Sequence, residues 1–218
     1  MHFVDFSLND FYFMLKGLGF SLSLTIWAVV FGTILGVFFG FIRSISGIFL
    51  NFIIGSILDI FRSVPLLIQL ILFNAFSSII KTGLSPFEIS CIVLALYTSS
   101  YVTETVRSGI LSVPQPIIKS SRSLGLSFLQ TFIYITSPLA LRVSFPTWVG
   151  ITLGVFKDTS LVLWIGIIEL LKSSQIIITR TQEPIFILTI AGILYFTVSF
   201  CFTRISNIQE KRWERYEL

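Results

Sequence analysis

Five long apolar stretches, at about 18–42, 56–80, 87–106, 143–170 and 185–203, constrain this chain more than any other feature. Each is close to the ~20 residues an α-helix needs to cross a hydrocarbon core of ~30 Å. Inside lipid every backbone N–H and C=O must be satisfied by a helix or a closed barrel. Runs such as LLIQLILF do not alternate, which argues against a barrel. The expected fold is therefore all-α, a polytopic membrane protein of about five transmembrane helices, with residues 1–218 as a single transmembrane domain. Composition agrees: the chain is 54% hydrophobic and 12% charged, far more apolar than an average soluble domain. The stretch 48–57 either starts the second helix early or lies in the interface.

Basic residues orient the bundle. With the N-terminus outside, nine Lys and Arg fall in cytoplasmic segments: Arg43, Arg107, Lys119, Arg122, Arg142, Arg204, Lys211, Arg212 and Arg215. Four fall outside: Lys16, Lys81, Lys172 and Arg180. This split favours an external N-terminus and a cytoplasmic C-terminus, which an odd number of crossings requires. The opening MHFVDFSLND carries two Asp and no Lys or Arg, so it is not expected to act as a signal peptide. Cys91 and Cys201 lie in apolar runs and read as packing residues, and His2 is the single histidine. A metal site or a Ser-His-Asp site therefore has almost no raw material. The lipid bilayer is an expected partner and nucleic acid is not. Gly32, Gly36 and Gly40 recur at four-residue spacing, either as a groove for close helix approach or as the ordinary glycine content of membrane helices.

The longest non-spanning segment, about 108–142, lies between the third and fourth stretches. Pro114 and Pro116 stop one helix and can open another. Gly125 suits a left-handed cap. Ser127 with Gln130 three residues later forms a capping-box pattern, and Pro138 is expected to end that second helix. The segment thus reads as helix, glycine turn, helix. Its apolar Ile117, Ile118, Leu124 and Leu126 must meet either lipid headgroups or another protein.

Ordered sequence blocks then resemble one family. PIIKSSRSLGLS at 116–127, followed by ITSPLALR at 135–142, is similar to the GQxEAAxALGLS and ILPxALR of the EAA loop in ABC-importer membrane subunits, specifically the polar amino acid permeases of glutamine, arginine and histidine type. FRSVPLLIQL at 61–70 resembles FRGTPLLVQL, SYVTETVRSGI at 100–110 resembles AYxAEIxRGGI, KDTSL at 157–161 matches outright, and IELLKSSQ resembles the family's GIxELxxxxQ. In this chain Lys119, Ser120 and Ser121 replace Glu-Ala-Ala, and Pro116 and Ile117 replace Gly-Gln.

The resemblance implies a type I importer (MetI-like) permease fold in a bacterial cytoplasmic (inner) membrane. It implies coupling to a separate ABC ATPase through the cytoplasmic helices at 117–136, the role falling on Lys119, Ser120, Ser121, Arg122, Leu124, Gly125 and Leu126. Substrate, a polar amino acid, would arrive from an extracytoplasmic solute-binding protein. A second permease copy or a paralogue would complete a homo- or heterodimer. No cofactor is expected on this chain, and ATP and Mg would be used by the partner subunit. No GxxxxGK[ST] motif occurs in the sequence, consistent with an external motor.

Lys157 and Asp158 lie near the centre of an apolar run, where charge is costly and faces a bundle interior or a polar path. Asp59, Arg62 and Glu104 are the candidate partners. Two readings stand: a buried network that fixes helix register, or a polar patch complementing the carboxylate and ammonium of a zwitterion. Thr159, Ser160, Arg62, Pro65, Gln69 and Glu104 share that pair of readings. Pro65 frees a carbonyl within a span, useful for a site or merely for a bend. An ion-coupled transporter would show inverted repeats, which are absent from the sequence, and an intramembrane enzyme lacks nucleophile–base pairs.

Overall fold

The computed structural model describes residues 6 to 214, and every regular element among them is helical. Helix α1 (Leu8–Ile45) starts with a capping box in which Ser7 and Asp10 satisfy each other's backbone N–H groups. At 38 residues it is about 57 Å long, well beyond the hydrocarbon core. Helix α4 (Pro86–Leu111) begins the same way, with Ser85 and Glu88. The two helices run parallel in close contact, because Gly32, Gly36 and Gly40 lie in turn against Thr98, Val102 and Val106. A Cβ on Gly32 would sit 2.6 Å from that of Thr98, and one on Gly40 would sit 2.8 Å from the Thr103 carbonyl oxygen. The glycine stripe is a packing groove, as close approach demands.

The second expected span is not one helix. Helix α2 (Ile48–Ser63) and helix α3 (Leu66–Ile79) meet at 100° around Val64 and Pro65. Arg43, near the end of α1, bonds Asn51 near the start of α2 and shares Glu104 with Arg62 at its finish. So α2 lies across one end of the bundle, with Phe49, Phe52, Ile57 and Ile60 exposed as an interfacial helix requires. Helix α2 packs on the ends of α1 and α4, while α3 packs on α4 and on the turn after α7. Among the described residues four helices are therefore long and apolar enough to span, and the count reaches five when the bent pair is taken as one broken span.

The fourth span also departs from expectation. Helix α6 (Phe128–Thr131) passes through a π-helical turn (Phe132–Thr136) into α7 (Ser137–Asp158) and a 3₁₀ turn (Thr159–Ile165). Pro138 does not end the loop helix, because the wider π turn takes up its missing N–H and its ring. Ser137 N–H reaches back five residues to the Phe132 carbonyl. The result is one helical rod from Phe128 to Ile165. Helix α8 (Leu170–Thr181), not anticipated as an element, runs back beside the first half of α1, and α9 (Pro184–Glu214) makes the last crossing.

Two cores result. The larger joins α1, α3, α4, α7 and the 3₁₀ turn around Leu24, Leu70, Val93, Leu94, Val155 and Val162. The smaller, at the far end of α1, joins Met14, Leu170, Ile177, Ile187 and Ala191.

Candidate functional site

Local chemistry shapes the loop between α4 and α7. Pro114 caps α5 (Gln115–Ser123), with Pro116 in its first turn. Gly125 takes φ +91°, where a side chain would be strained, while its N–H bonds the Arg122 carbonyl and Leu126 N–H bonds that of Ser121. Ser127 then caps α6 through the expected box with Gln130. Lys119, Ser120, Arg122 and Gly125 are exposed, Leu124 is 83% exposed, Leu126 is half-buried, and Ser121 is buried against its own helix. Phe128 and Leu129 continue the exposed apolar face. The loop is a rigid knob presenting leucine and phenylalanine among basic groups.

Beside the base of the knob, Glu104 gathers three guanidinium groups. Arg43 donates to it at 2.9 Å and Arg107 at 3.1 Å, while Arg62 stands 3.9 Å away. Arg62 also pairs with Asp59, one turn earlier. This hub joins the ends of α1, α2 and α4 within two turns of the start of the loop. At the neighbouring elbow, Pro65 has no N–H to offer the Phe61 carbonyl. Gln69 replaces it, its Nε2 donating to Phe61 O at 2.9 Å and to Val64 O at 2.7 Å. Gln69 is 5% exposed and its Oε1 has no partner among the described residues.

Lys157 and Asp158 close α7, with Lys157 exposed and Asp158 half-buried. Thr159 is fully buried and donates to the Phe156 carbonyl at 2.7 Å, and Ser160 is half-buried. The expected partners do not meet this pair. Asp59, Arg62 and Glu104 bond one another instead, and no salt bridge among the described residues reaches Lys157 or Asp158. Depth explains it. Phe156 shares a cleft with Thr25, whereas the hub sits at Arg43, so about 27 Å of α1 separates the two charge groups. Lys157 and Asp158 stand level with the middle of α1, and the hub with its last turn.

One buried charge escaped sequence reasoning. Glu169 is fully buried and caps α8, accepting from Lys172 N–H at 2.7 Å and Leu171 N–H at 2.9 Å. The Tyr195 hydroxyl of α9 donates to it at 3.1 Å and the Ser21 hydroxyl of α1 at 3.4 Å. The visible signal was an acid directly before the apolar Leu170–Leu171 and a helix-length polar pattern, the mark of a helix start.

The descriptive model of the binding-protein-dependent transport system inner membrane components matches residues 28–215. The L-cystine transport system permease protein TcyB of Bacillus subtilis is 30% identical, over 92% of this chain and 86% of its own length. The histidine/lysine/arginine/ornithine transport system permease protein HisM of Escherichia coli is 31% identical, over 90% of this chain and 87% of its own. A crystal structure of an amino acid ABC transporter with histidines superposes with a TM-score of 0.87 at 26% identity, covering 97% of this chain and 100% of that one. An inward-facing MetNI methionine ABC transporter shares the fold, with a TM-score of 0.76 at 19% identity over 93% of this chain and 99% of that one.

Proposed function

Since the chain belongs to the binding-protein-dependent transport system inner membrane components, the multi-pass permease subunits of ABC importers for amino acids, we propose that it forms the path of a polar amino acid driven by a separate ATPase. The observation that carries this reading is the exposed knob at Lys119–Leu126, stiffened by Gly125 and two caps and continuous with a rod across the bundle. The ATPase docks on Lys119, Ser120, Ser121, Arg122, Leu124, Gly125 and Leu126. Leu124, Phe128 and Leu129 together form an exposed apolar patch of the kind that marks a protein-docking surface.

A push on the knob has two routes into the bundle. One runs along Phe128–Ile165 to Lys157, Asp158, Thr159 and Ser160 at the other end. The other runs through α4 and Glu104 to Arg62, Pro65 and Gln69 at the elbow. Both are discrete rigid elements, suited to switch a two-state equilibrium between outward- and inward-facing forms. An extracytoplasmic binding protein delivers the amino acid, and a second copy or paralogue closes the path. The N-terminus lies outside and the hub end inside, because Arg43, Arg62, Arg107, Lys119, Arg122 and Arg142 concentrate at that end.

Gly125→Pro tests docking, since proline cannot take φ +91°. The variant is expected to lose co-purification with the ATPase while still reaching the membrane. Full co-purification with full uptake would refute the knob as the docking point. Labelling of Leu124→Cys by an impermeant thiol reagent settles orientation separately.

A further inference from the structure

Helix α9 is fastened to the bundle at its two ends and stands off in between. Ile187, Ala191 and Tyr195 hold one end, and Trp213 meets Phe145 edge-on at 5.1 Å at the other. Between them lies a cleft of about 710 Å³ walled by α1, α7 and α9, with Val29, Trp148, Phe156, Val198 and Phe202 among its lining. It continues past Val37 and Trp148 into a second hollow of about 450 Å³ at Phe145, Gln209 and Trp213.

The cleft offers a zwitterion no charged group. Its hydroxyls are already engaged: Thr25 donates to the Ser21 carbonyl at 2.8 Å, Thr152 to that of Trp148 at 3.0 Å, and Thr33 accepts from Trp148 Nε1 at 2.9 Å. From Leu22 to Val37 it is about 22 Å long, a groove that a single hydrocarbon chain can follow. The length exceeds one leaflet's share, about 15 Å, of the hydrocarbon core.

Charge marks one mouth. Arg142 lies one turn before Phe145, and Lys211 and Arg212 directly precede Trp213. None of the three is in a salt bridge with another residue whose side chain is described, and Glu210 and Glu214 are the neighbouring acids on α9, so the three basic groups outnumber them. Basic groups flanking an apolar slot at the cytoplasmic interface are the arrangement that holds an anionic lipid headgroup. We infer that the cleft between α1, α7 and α9 binds one anionic phospholipid of the cytoplasmic leaflet. One acyl chain fills the cleft along Trp148, and the phosphate rests on Arg142 and Arg212. The leaflet assignment rests on the orientation proposed above.

Trp148 reports on the cleft from within. The assembled transporter, with Trp27, Trp164 and Trp213 changed to Phe, is placed in nanodiscs containing phosphatidylglycerol and phosphatidylcholine. Bromine is carried on the acyl chains of one lipid or the other. Brominated phosphatidylglycerol is expected to quench Trp148 several-fold more than brominated phosphatidylcholine at equal mole fraction, a preference of about fivefold per basic group. The preference should vanish in Arg142→Gln/Arg212→Gln, while Val198→Phe, which narrows the cleft, should lower quenching by both lipids. Equal quenching by the two lipids in the unaltered pocket overturns the anionic site. No quenching by either means that protein, such as a second copy, covers the cleft, and overturns it too. Nanodiscs present the same lipids on both faces, so the readout does not depend on orientation, and uptake by the same transporter in vesicles reports on the transport function independently.

Discussion

Glu104 and Glu169 are two carboxylates at opposite ends of one bundle, solved in opposite ways. Glu169 is fully buried and satisfied by neutral donors, two backbone N–H groups at the start of α8 and the hydroxyls of Tyr195 and Ser21. The N-terminal helix dipole favours its charge without any counter-ion. Glu104 keeps 36% of its side chain exposed and is held by Arg43 and Arg107, with Arg62 at 3.9 Å. Neutral donors fixed on three backbone elements make a permanent joint. Three long guanidinium groups on one half-exposed carboxylate, the Arg43 group buried and the Arg62 and Arg107 groups partly exposed, make a joint with more than one way to pair.

The largest effect is expected at the permanent joint. Glu169→Ala leaves two N–H groups and a buried tyrosine hydroxyl without an acceptor, at about 1–3 kcal/mol for each buried orphan. A loss of about 3 kcal/mol should appear as a clearly lower unfolding midpoint of the detergent-solubilised transporter, with Glu169→Gln in between because one oxygen still accepts. Equal midpoints for Ala and the unaltered chain would erase the contrast between the two glutamates.

The elbow should come next. Gln69→Ala strips Phe61 and Val64 of their side-chain donor, costing about 1–2 kcal/mol. If Gln69 serves the bend, the midpoint falls and uptake falls with it for every substrate alike. Should the midpoint hold while apparent affinity for one amino acid changes, Gln69 belongs to the path instead.

Glu104→Gln should be the mildest for stability. Glutamine keeps one acceptor oxygen for the Arg43 and Arg107 donors, so no donor need be left orphaned and the midpoint should fall by only about 1 kcal/mol. Its signature is coupling: ATP hydrolysis should continue with reduced uptake per ATP. Unchanged stoichiometry would make the arginine cluster as passive as the Glu169 joint.

The parts of the fold legible in sequence are those whose chemistry is short-range. Pro114, Gly125 and the Ser127–Gln130 box act within a few residues, and each appears in the structure where the sequence places it. The spacing of Gly32, Gly36 and Gly40 marks a packing face because helical geometry repeats it, although which helix fills that face is not written in α1. Proline proved ambiguous. Pro65 breaks its segment by 100° because Gln69 can satisfy the freed carbonyls, while Pro138 leaves its helix continuous because a π turn absorbs it. Sequence offers no way to choose between those outcomes when the compensating group is conformational.

Residue order and type by themselves determined an all-helical membrane chain with four to five apolar spans, the helix–glycine–helix loop and the concentration of basic residues at one end. These follow from lipid's intolerance of bare peptide groups and from capping within a turn. Only the tertiary structure decided which charges share a depth, and that is why Lys157 and Asp158 never meet Glu104 while Ser21, Glu169 and Tyr195 do meet. Pairing across a bundle depends on where each helix enters and tilts in the bilayer, which is set by packing among all of them together.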